Sequence, residues 1–384
     1  MFDFSREVEI ERERIRRLAT WASGGREGPV QIDAELHKVC NLRCLFCARY
    51  EDHQILNEKS KKQQMSLERW LEIIEEAREL GALIFNIEGI NEPPAVPELF
   101  FPVVRKVKEV GMYGIVTTNG TLWKEDELRE LVEMGWDRIH FSIHSHDPEV
   151  HDFLTGMKGA FERVVKSVRI LDEWRKKLGS ERPMVNVNVC INKLNFRHLP
   201  QIVELARKLN ADYIFTEPLM VYTSEGKKLK LSEDEVKELQ TYVEKAKKLA
   251  EKYEIDNNFA TQDKNLEEEI VESASEMEGL LLKEVEGVKE TFLSSPCFKP
   301  WDRIAIRYNG LTGHCGFVES GEDAKEKNLK EIWFGEFFEN ARRRMLEKHL
   351  FPHCHKCVPS DFTQRRRFRR ELLEMLKSMR TWRK

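Results

Sequence analysis

With 384 residues, 41% of them hydrophobic, the chain is long enough for two domains and apolar enough for a full core. Its 63 Lys and Arg nearly balance 67 Asp and Glu, and a net charge of −4 excludes a field strong enough to name a nucleic-acid or acidic partner. No apolar run approaches the ~20 residues of a membrane span, and the charged opening "MFDFSREVEIERERIRRLATW" lacks a signal-peptide core, so a cytoplasmic protein is expected.

Residues 1–29 read as an N-terminal helical segment. "PVQIDAEL" is the first strand, and the loop "KVCNLRCLFCAR" follows it. "SLERWLEIIEEARELG" is a helix opened by a Ser cap and closed by Gly81. Then come "ALIFNIEGINEPP", a helix through "FFPVVRKVKEVG", "YGIVTTNGT" and the helix "KEDELRELVEMG". "DRIHFSIHS", the helix "AFERVVKSVRILDEWRKKLG", "MVNVNVCIN", the helix "LPQIVELARKLN" and "ADYIFTEPLMVY" complete the series. Six strands joined by crossovers predict a parallel α/β sheet over 30–225, with right-handed connections and a site at the strand C-terminal ends.

Residues 226–294 are highly charged and helical, and read as a solvated bridge. Over 295–360, "RIAIRYNGLTGHCGF" predicts a β-hairpin turning at Asn309–Gly310. Residues 361–384 form a basic C-terminal helix with Arg365, Arg366, Arg367, Arg369 and Arg370. Such a run can grip an acidic peptide, a nucleic acid or a membrane surface, but aromatic interleaving is sparse, so nucleic acid is not expected and a solvated helix is the simpler reading.

Seven of the eight cysteines fall into two groups, 40/44/47 and 297/315/354/357. In a reducing compartment this grouping points to metal or catalysis rather than disulfides. Cys190, in a strand pattern, reads as a small core residue. Three thiolates spaced C-x3-C-x2-C can hold a [4Fe–4S] cubane at three irons and leave the fourth open. With His37 or His53 they can instead make a zinc site. The two later pairs bracket a hairpin and a tight knuckle, and can converge on a four-thiolate zinc or a fully ligated cubane. His353 and His355 flank the knuckle, where they tune a cluster or face solvent.

C-x3-C-x-φ-C with Phe46 before the last cysteine, directly after the first strand of a βα repeat, resembles the radical S-adenosylmethionine (SAM) superfamily. "IEGINEPP" is similar to the family's GGEP segment, with Ile90-Asn91 in place of Gly-Gly. "VTTNGT" resembles its third-strand T-N-G segment, and "SIHSHDPEVHDFLTG" its "SLDG…HD…RG" pattern, with His144 in place of Asp. The C-terminal cysteine layout resembles the SPASM/twitch extension, and with no cysteine after Cys357 it is closer to the four-cysteine twitch type.

The resemblance implies an incomplete (β/α)6 TIM-like barrel, a helical bridge and a small α+β auxiliary-cluster domain. It implies a first cluster on Cys40, Cys44 and Cys47, with SAM chelating its open iron. Phe46, Glu92, Thr117, Asn119, Ser142 and Asn188 would contact SAM, Glu92 through the amino group and Ser142 through the ribose or carboxylate. An auxiliary [4Fe–4S] cluster on Cys297, Cys315, Cys354 and Cys357 would accept or relay an electron. The implied reaction is reductive cleavage of SAM to a 5′-deoxyadenosyl radical that removes a hydrogen atom from a substrate. His144, His146, Glu217 and Tyr222 are candidates to act on that substrate.

Small-molecule oxidation or bond formation is the first expectation, because the segment before Gln31 is short for a peptide-recognition domain. A peptide- or protein-modifying maturase is the alternative, and an iron–sulfur or zinc scaffold binding a partner through the basic tail is a third. An electron donor such as ferredoxin or flavodoxin is the expected partner.

Overall fold

The computed structural model describes residues 5–259, 290–320, 322–357 and 359–381. Helix α1 (Ser5–Ala22) precedes β1 (Gln31–Ala34), and the cysteine loop leads into α2 (His53–Gln63) and α3 (Leu67–Glu79). Ser66 caps α3 by accepting from the Arg69 amide at 3.2 Å. Next come β2 (Ile84–Ile87), α4 (Pro97–Glu109), β3 (Tyr113–Thr118), α5 (Glu125–Glu133) and β4 (Arg138–Ser142). Helices α6 (Pro148–Thr155) and α7 (Ala160–Leu178), β5 (Met184–Ile191), α8 (Leu199–Lys208) and β6 (Tyr213–Pro218) complete the expected series. All neighbours from β1 to β6 pair in parallel.

Side chains alternate across each strand, so one face of the sheet differs wholly from the other. The outer face carries Ile32, Phe85, Ile87, Val116, Ile139, Phe141, Val187 and Ile214, all packed in one core beneath the helices. The inner face carries Asp33, Asn86, Thr117, His140, Asn186 and Asn188, which share their register positions' common side. A sheet curled around such a face encloses a polar hollow. Helix α1 closes the N-terminal end of that hollow. Ile10 packs with Val30, Ile84 and Tyr113, and the Tyr113 hydroxyl donates to Glu7 Oε1 at 2.6 Å.

The structure departs from the sequence reading beyond residue 225. Helix α9 (Ser224–Lys228) is followed by α10 (Glu233–Lys252), which buries Leu239, Val243, Ala246 and Ala250 in the main core. A short β7 (Asp256–Asn257) then pairs with β6. The expected solvated bridge is thus, up to Phe259, a further helix and strand of the sheet, and 260–289 lie outside the described residues. The hairpin forms as β8 (Arg303–Ile306) and β9 (Thr312–Gly313), antiparallel. It does not stand apart: β8 pairs in parallel with β1, Asp33 opposite Ala305. The described strands therefore form one open sheet, β7-β6-β5-β4-β3-β2-β1-β8-β9. Ile304, Ile306, Leu329, Ile332 and Trp333 join the barrel's own core.

The C-terminal helix (Pro359–Thr381) is not solvated along its length. Phe368, Leu372 and Leu376 pack with Ile15, Leu18 and Ala22 of α1, because an apolar stripe at helical spacing runs beneath the arginines. No helix among the described residues is long and apolar enough to cross a membrane.

Candidate active site

The loop after β1 is held by one buried cation. Arg49, 1% exposed, donates to the carbonyls of Lys38 (2.7 Å) and Ile90 (2.9 Å) and to Asn57 Oδ1 (2.5 Å). Asn57 Oδ1 also accepts from the Cys40 amide at 3.2 Å. On the other side, the Arg43 and Leu45 amides donate to Thr155 and Leu154 carbonyls of α6. Cys40, Cys44 and Cys47 are thereby fixed at the C-terminal mouth of the barrel.

Burial pushes the Cys40 thiol up to about 11, with the Glu92 charge adding and Arg49 opposing. Cys44 and Cys47 are raised by burial too, and the neighbouring thiols add to the shift at Cys44. Such thiols ionise only when a metal supplies positive charge. A mononuclear zinc needs its donors within about 2.3 Å of one point. No group of three or more Cys, His, Asp or Glu converges in that way among the described residues. His37 is also engaged: Nδ1 accepts from the Val39 amide (3.1 Å) and Nε2 lies 3.1 Å from the Pro93 carbonyl. Three thiols on three separate irons need no single focus, so the loop fits a cubane better than a zinc.

The expected strand-end residues surround this loop. The Thr118 hydroxyl donates to one Glu92 oxygen, and the Asn119 amide donates to the other at 2.6 Å. Full burial raises the Glu92 carboxyl to about 8. Each carboxylate oxygen keeps a further lone pair, and an ammonium beside it would favour the ionised form. Asn119 Nδ2 donates to Asn41 Oδ1 (3.0 Å) and sits 3.9 Å from Cys40 Sγ, tying the T-N-G turn to the cysteine loop. Gly120 is required in that turn: its φ is +75, and a Cβ would meet Val164 Cγ2 at 2.5 Å. Thr117 lies opposite His140 on β4, and Ser142 opposite Asn188 on β5. Asn188 Oδ1 is buried with no hydrogen-bond partner.

Phe46 sits edge-on to His144, ring centroids 4.9 Å apart. His144 Nδ1 accepts from the Cys190 amide at 3.3 Å, and burial lowers this imidazole to about 3. It is therefore a neutral wall of the site, not a proton carrier near neutral pH. His146 lies off to the side, edge-on to His198 at 4.8 Å. Glu217 is paired in register with Cys190, and burial, with the charges of Glu217 and Cys47 adding, pushes that thiol up to about 12. Cys190 thus faces the hollow near Cys47, where the sequence suggested core, because it falls on the inner side of β5 with Asn186 and Asn188. Tyr222 is 41% exposed at the rim, and Thr223 beside it donates to the Leu45 carbonyl at 3.0 Å.

The second group of cysteines lines one cavity of about 160 Å³, with Lys299, His353, Arg365 and Arg369. Four thiols lining one cavity of this size leave room for a multi-iron cluster. Burial raises Cys315, Cys354 and Cys357, the last to about 12. Cations offset this: Arg365 Nη2 lies 2.7 Å from Cys357 Sγ, and Lys299 pairs with Asp361 at 2.6 Å near the cavity. Arg369 donates to the Ser295 carbonyl at 2.7 Å, and Arg367 pairs with Glu11 of α1. Arg365 and Arg369 are therefore turned inward, while Arg367 and Arg370 stay exposed. The His355 side chain lies outside the described residues.

Two thiol sets on one half-closed parallel barrel define an iron–sulfur α/β protein. A model of the radical SAM superfamily matches residues 35–206, and one of the SPASM iron–sulfur cluster-binding domain matches 297–358. Residues 35–206 are thus a radical SAM domain and 297–358 a SPASM-type iron–sulfur cluster-binding domain, and domains of these kinds take SAM and [4Fe–4S] clusters as cofactors. Over 192 residues it is 28% identical to a tungsten-containing aldehyde ferredoxin oxidoreductase cofactor-modifying protein of Pyrococcus furiosus. That match spans 50% of this chain and only about half (52%) of the relative. Streptococcus suis SuiB bound to S-adenosylmethionine superposes with a TM-score of 0.60 at 17% identity, covering 82% of this chain and 68% of SuiB. The structure of native anSMEcpe with bound AdoMet gives 0.56 at 17%, over 86% of this chain and 87% of that one. At these identities the likeness concerns the fold.

Arg49, Asn41, Asn57 and Thr118 were not singled out from sequence. The one available signal was an arginine two positions after the last loop cysteine. For Glu92, a charge-assisted hydrogen bond to the SAM ammonium is worth about 1.5–3 kcal/mol. Glu92→Ala is expected to weaken SAM binding roughly ten- to a hundred-fold by calorimetry on the reconstituted protein; unchanged affinity would remove Glu92 from the SAM site.

Proposed function

We propose that this protein is a radical SAM enzyme that oxidises or cross-links a substrate held in the hollow, with the second electron taken up at the C-terminal cysteines. The observation that carries this reading is the placement of two thiol sets at opposite ends of the hollow. Cys40 follows the C-terminal end of β1. Cys297 precedes β8, and Cys315 follows β9, which runs back toward the start of β8. Strands of four residues span only about 13 Å. A substrate between the two sites can thus lose a hydrogen atom at one end and an electron toward the other.

When bound, the reduced cluster and SAM supply a 5′-deoxyadenosyl radical. The chain's own residues do the rest. Glu92 and Asn119 orient the amino end of SAM, and Ser142 and Asn188 its ribose side. Phe46 and neutral His144 wall the site without offering an acidic proton. Glu217 and Tyr222 border the substrate.

For substrate class, a modifying role is better supported than small-molecule oxidation. The Pyrococcus furiosus relative is named for cofactor modification, and SuiB has been solved with its precursor peptide SuiA. Ile55, Phe153, Val221 and Tyr222 are exposed around the cysteine loop, apolar surface against which a peptide can lie. The test is direct: the anaerobically reconstituted, dithionite-reduced protein should convert SAM to 5′-deoxyadenosine and methionine. Deoxyadenosine no higher than in a cluster-free control would overturn the proposal.

A further inference from the structure

The arginines of the C-terminal helix serve two faces. Asp361, Arg365 and Arg369 recur at i, i+4 and i+8 and so lie in one row along the helix. Phe368, Leu372 and Leu376 form the neighbouring stripe that packs against α1, so apolar contacts rather than the cysteines hold the row in place. Each member of the row meets the segment around Cys297. Arg365 Nη1 donates to the Pro296 carbonyl at 2.8 Å, and Nη2 donates to Cys357 Sγ at 2.7 Å. Arg369 donates to the Ser295 carbonyl at 2.7 Å, and Asp361 accepts from Lys299 at 2.6 Å. One guanidinium thus ties the residue before Cys297 to the sulfur of Cys357.

The charge of this cavity is one-sided. Among the described residues, five Lys and Arg side chains line it against a single carboxylate, that of Asp361, which Lys299 already pairs. The cysteine loop after β1 is built differently. Its buried cation, Arg49, directs its N–H groups to the carbonyls of Lys38, Ile90 and His53 and to Asn57, and none, among the described residues, to a sulfur. The donors beside Cys40 Sγ are neutral, the Leu42 amide at 3.4 Å and Asn119 Nδ2 at 3.9 Å. A buried carboxylate, Glu92, lies next to them and accepts from the Asn119 amide.

A cubane held by thiolates is an anion, and an electron added to it puts further negative charge on its sulfurs. An N–H aimed at a sulfur therefore binds the reduced state more strongly than the oxidised one, and a guanidinium adds its full charge to that preference. We propose that Arg365 sets the reduction potential of the C-terminal [4Fe–4S] cluster, holding it above that of the SAM-binding cluster, so that the substrate's electron leaves toward Cys357. The proposal rests on the function given above. In that step the substrate radical loses one electron, the cluster gains it, and the proton given up as product forms passes to water. No bond forms or breaks at the cluster. Arg365 is a positioning residue that acts through the ligand Cys357.

The test is a redox titration followed by electron paramagnetic resonance on the full-length protein with both clusters. The C-terminal cluster is the one whose signal SAM does not change, and in the wild type its midpoint should lie above that of the other. Arg365→Met should keep about eight irons, because the helix is anchored by its apolar stripe. It should make the cluster at least tenfold harder to reduce, a midpoint lower by ~59 mV or more. Arg365→Lys keeps the charge but not the two-pronged donor, so its midpoint should fall less. Arg367→Met, at an exposed arginine that pairs with Glu11, should leave the midpoint unchanged. A merely structural role predicts the opposite sign, since water entering a loosened cavity stabilises the more highly charged, reduced state. A midpoint unchanged or raised in both Arg365 variants, or a wild-type C-terminal cluster at or below the potential of the other, would overturn the proposal. Absence of deoxyadenosine in the wild type would instead overturn the function on which it rests, and leaves these midpoints measurable.

Discussion

Cys44→Ala is expected to abolish SAM cleavage while leaving the fold intact. Cys44 sits mid-loop between Cys40 and Cys47, and the loop is held by Arg49, Asn57 and α6 rather than by its thiols. Removing one ligand leaves two thiolates for a cubane that already keeps one iron open, too few to retain it. Iron should fall from about eight to about four per chain, the content of the remaining cubane. Deoxyadenosine should drop to background, and the paramagnetic response to SAM should vanish. Circular dichroism should be unchanged, because Cys44 contributes no core packing beyond its small neighbour cluster with Leu42 and Met157. Retained deoxyadenosine formation would show that the loop does not hold the catalytic cluster.

The joint change Cys354→Ala and Cys357→Ala has the second-largest expected effect, and a different pattern. These cysteines line the far cavity, so about four irons should again be lost. The first cluster should still respond to SAM, and deoxyadenosine should still form. Oxidised or cross-linked product should be nearly absent, since the electron has no acceptor. Stoichiometric zinc with about four irons in the wild type would make the cavity a structural staple, contrary to the proposal.

Much of this architecture was legible in the sequence because it is written in local periodicity. Strands β1 to β6 and their helices follow from alternating apolar runs, caps and glycine stops, and the turn at Asn309–Gly310 from its dipeptide. The pairing of β8 with β1 was not legible, since residues 31 and 303 carry no shared local signal. For the same reason Cys190 read as core: alternation says that a residue changes face, not which face encloses a hollow. The loop cysteines stood out by spacing, and Glu92 and the T-N-G turn by their resemblance to family segments. The neutrality of His144 did not, because it depends on a backbone amide from a neighbouring strand. Likewise the arginines of the last helix looked solvated, because a charge run does not reveal the thiol and the carbonyls that Arg365 and Arg369 meet.

The pairing of β1 with β8 also bears on how the chain is made. A ribosome releases β1 about 270 residues before β8, so through most of synthesis β1 offers the bare edge of a parallel sheet whose outer face is apolar. Unpaired edges of that kind recruit other strands, and loop closure over such a separation is slow. Fragments ending near residue 225 should therefore aggregate rather than fold as a free-standing barrel, and the nascent chain should depend on shielding until the last hairpin emerges.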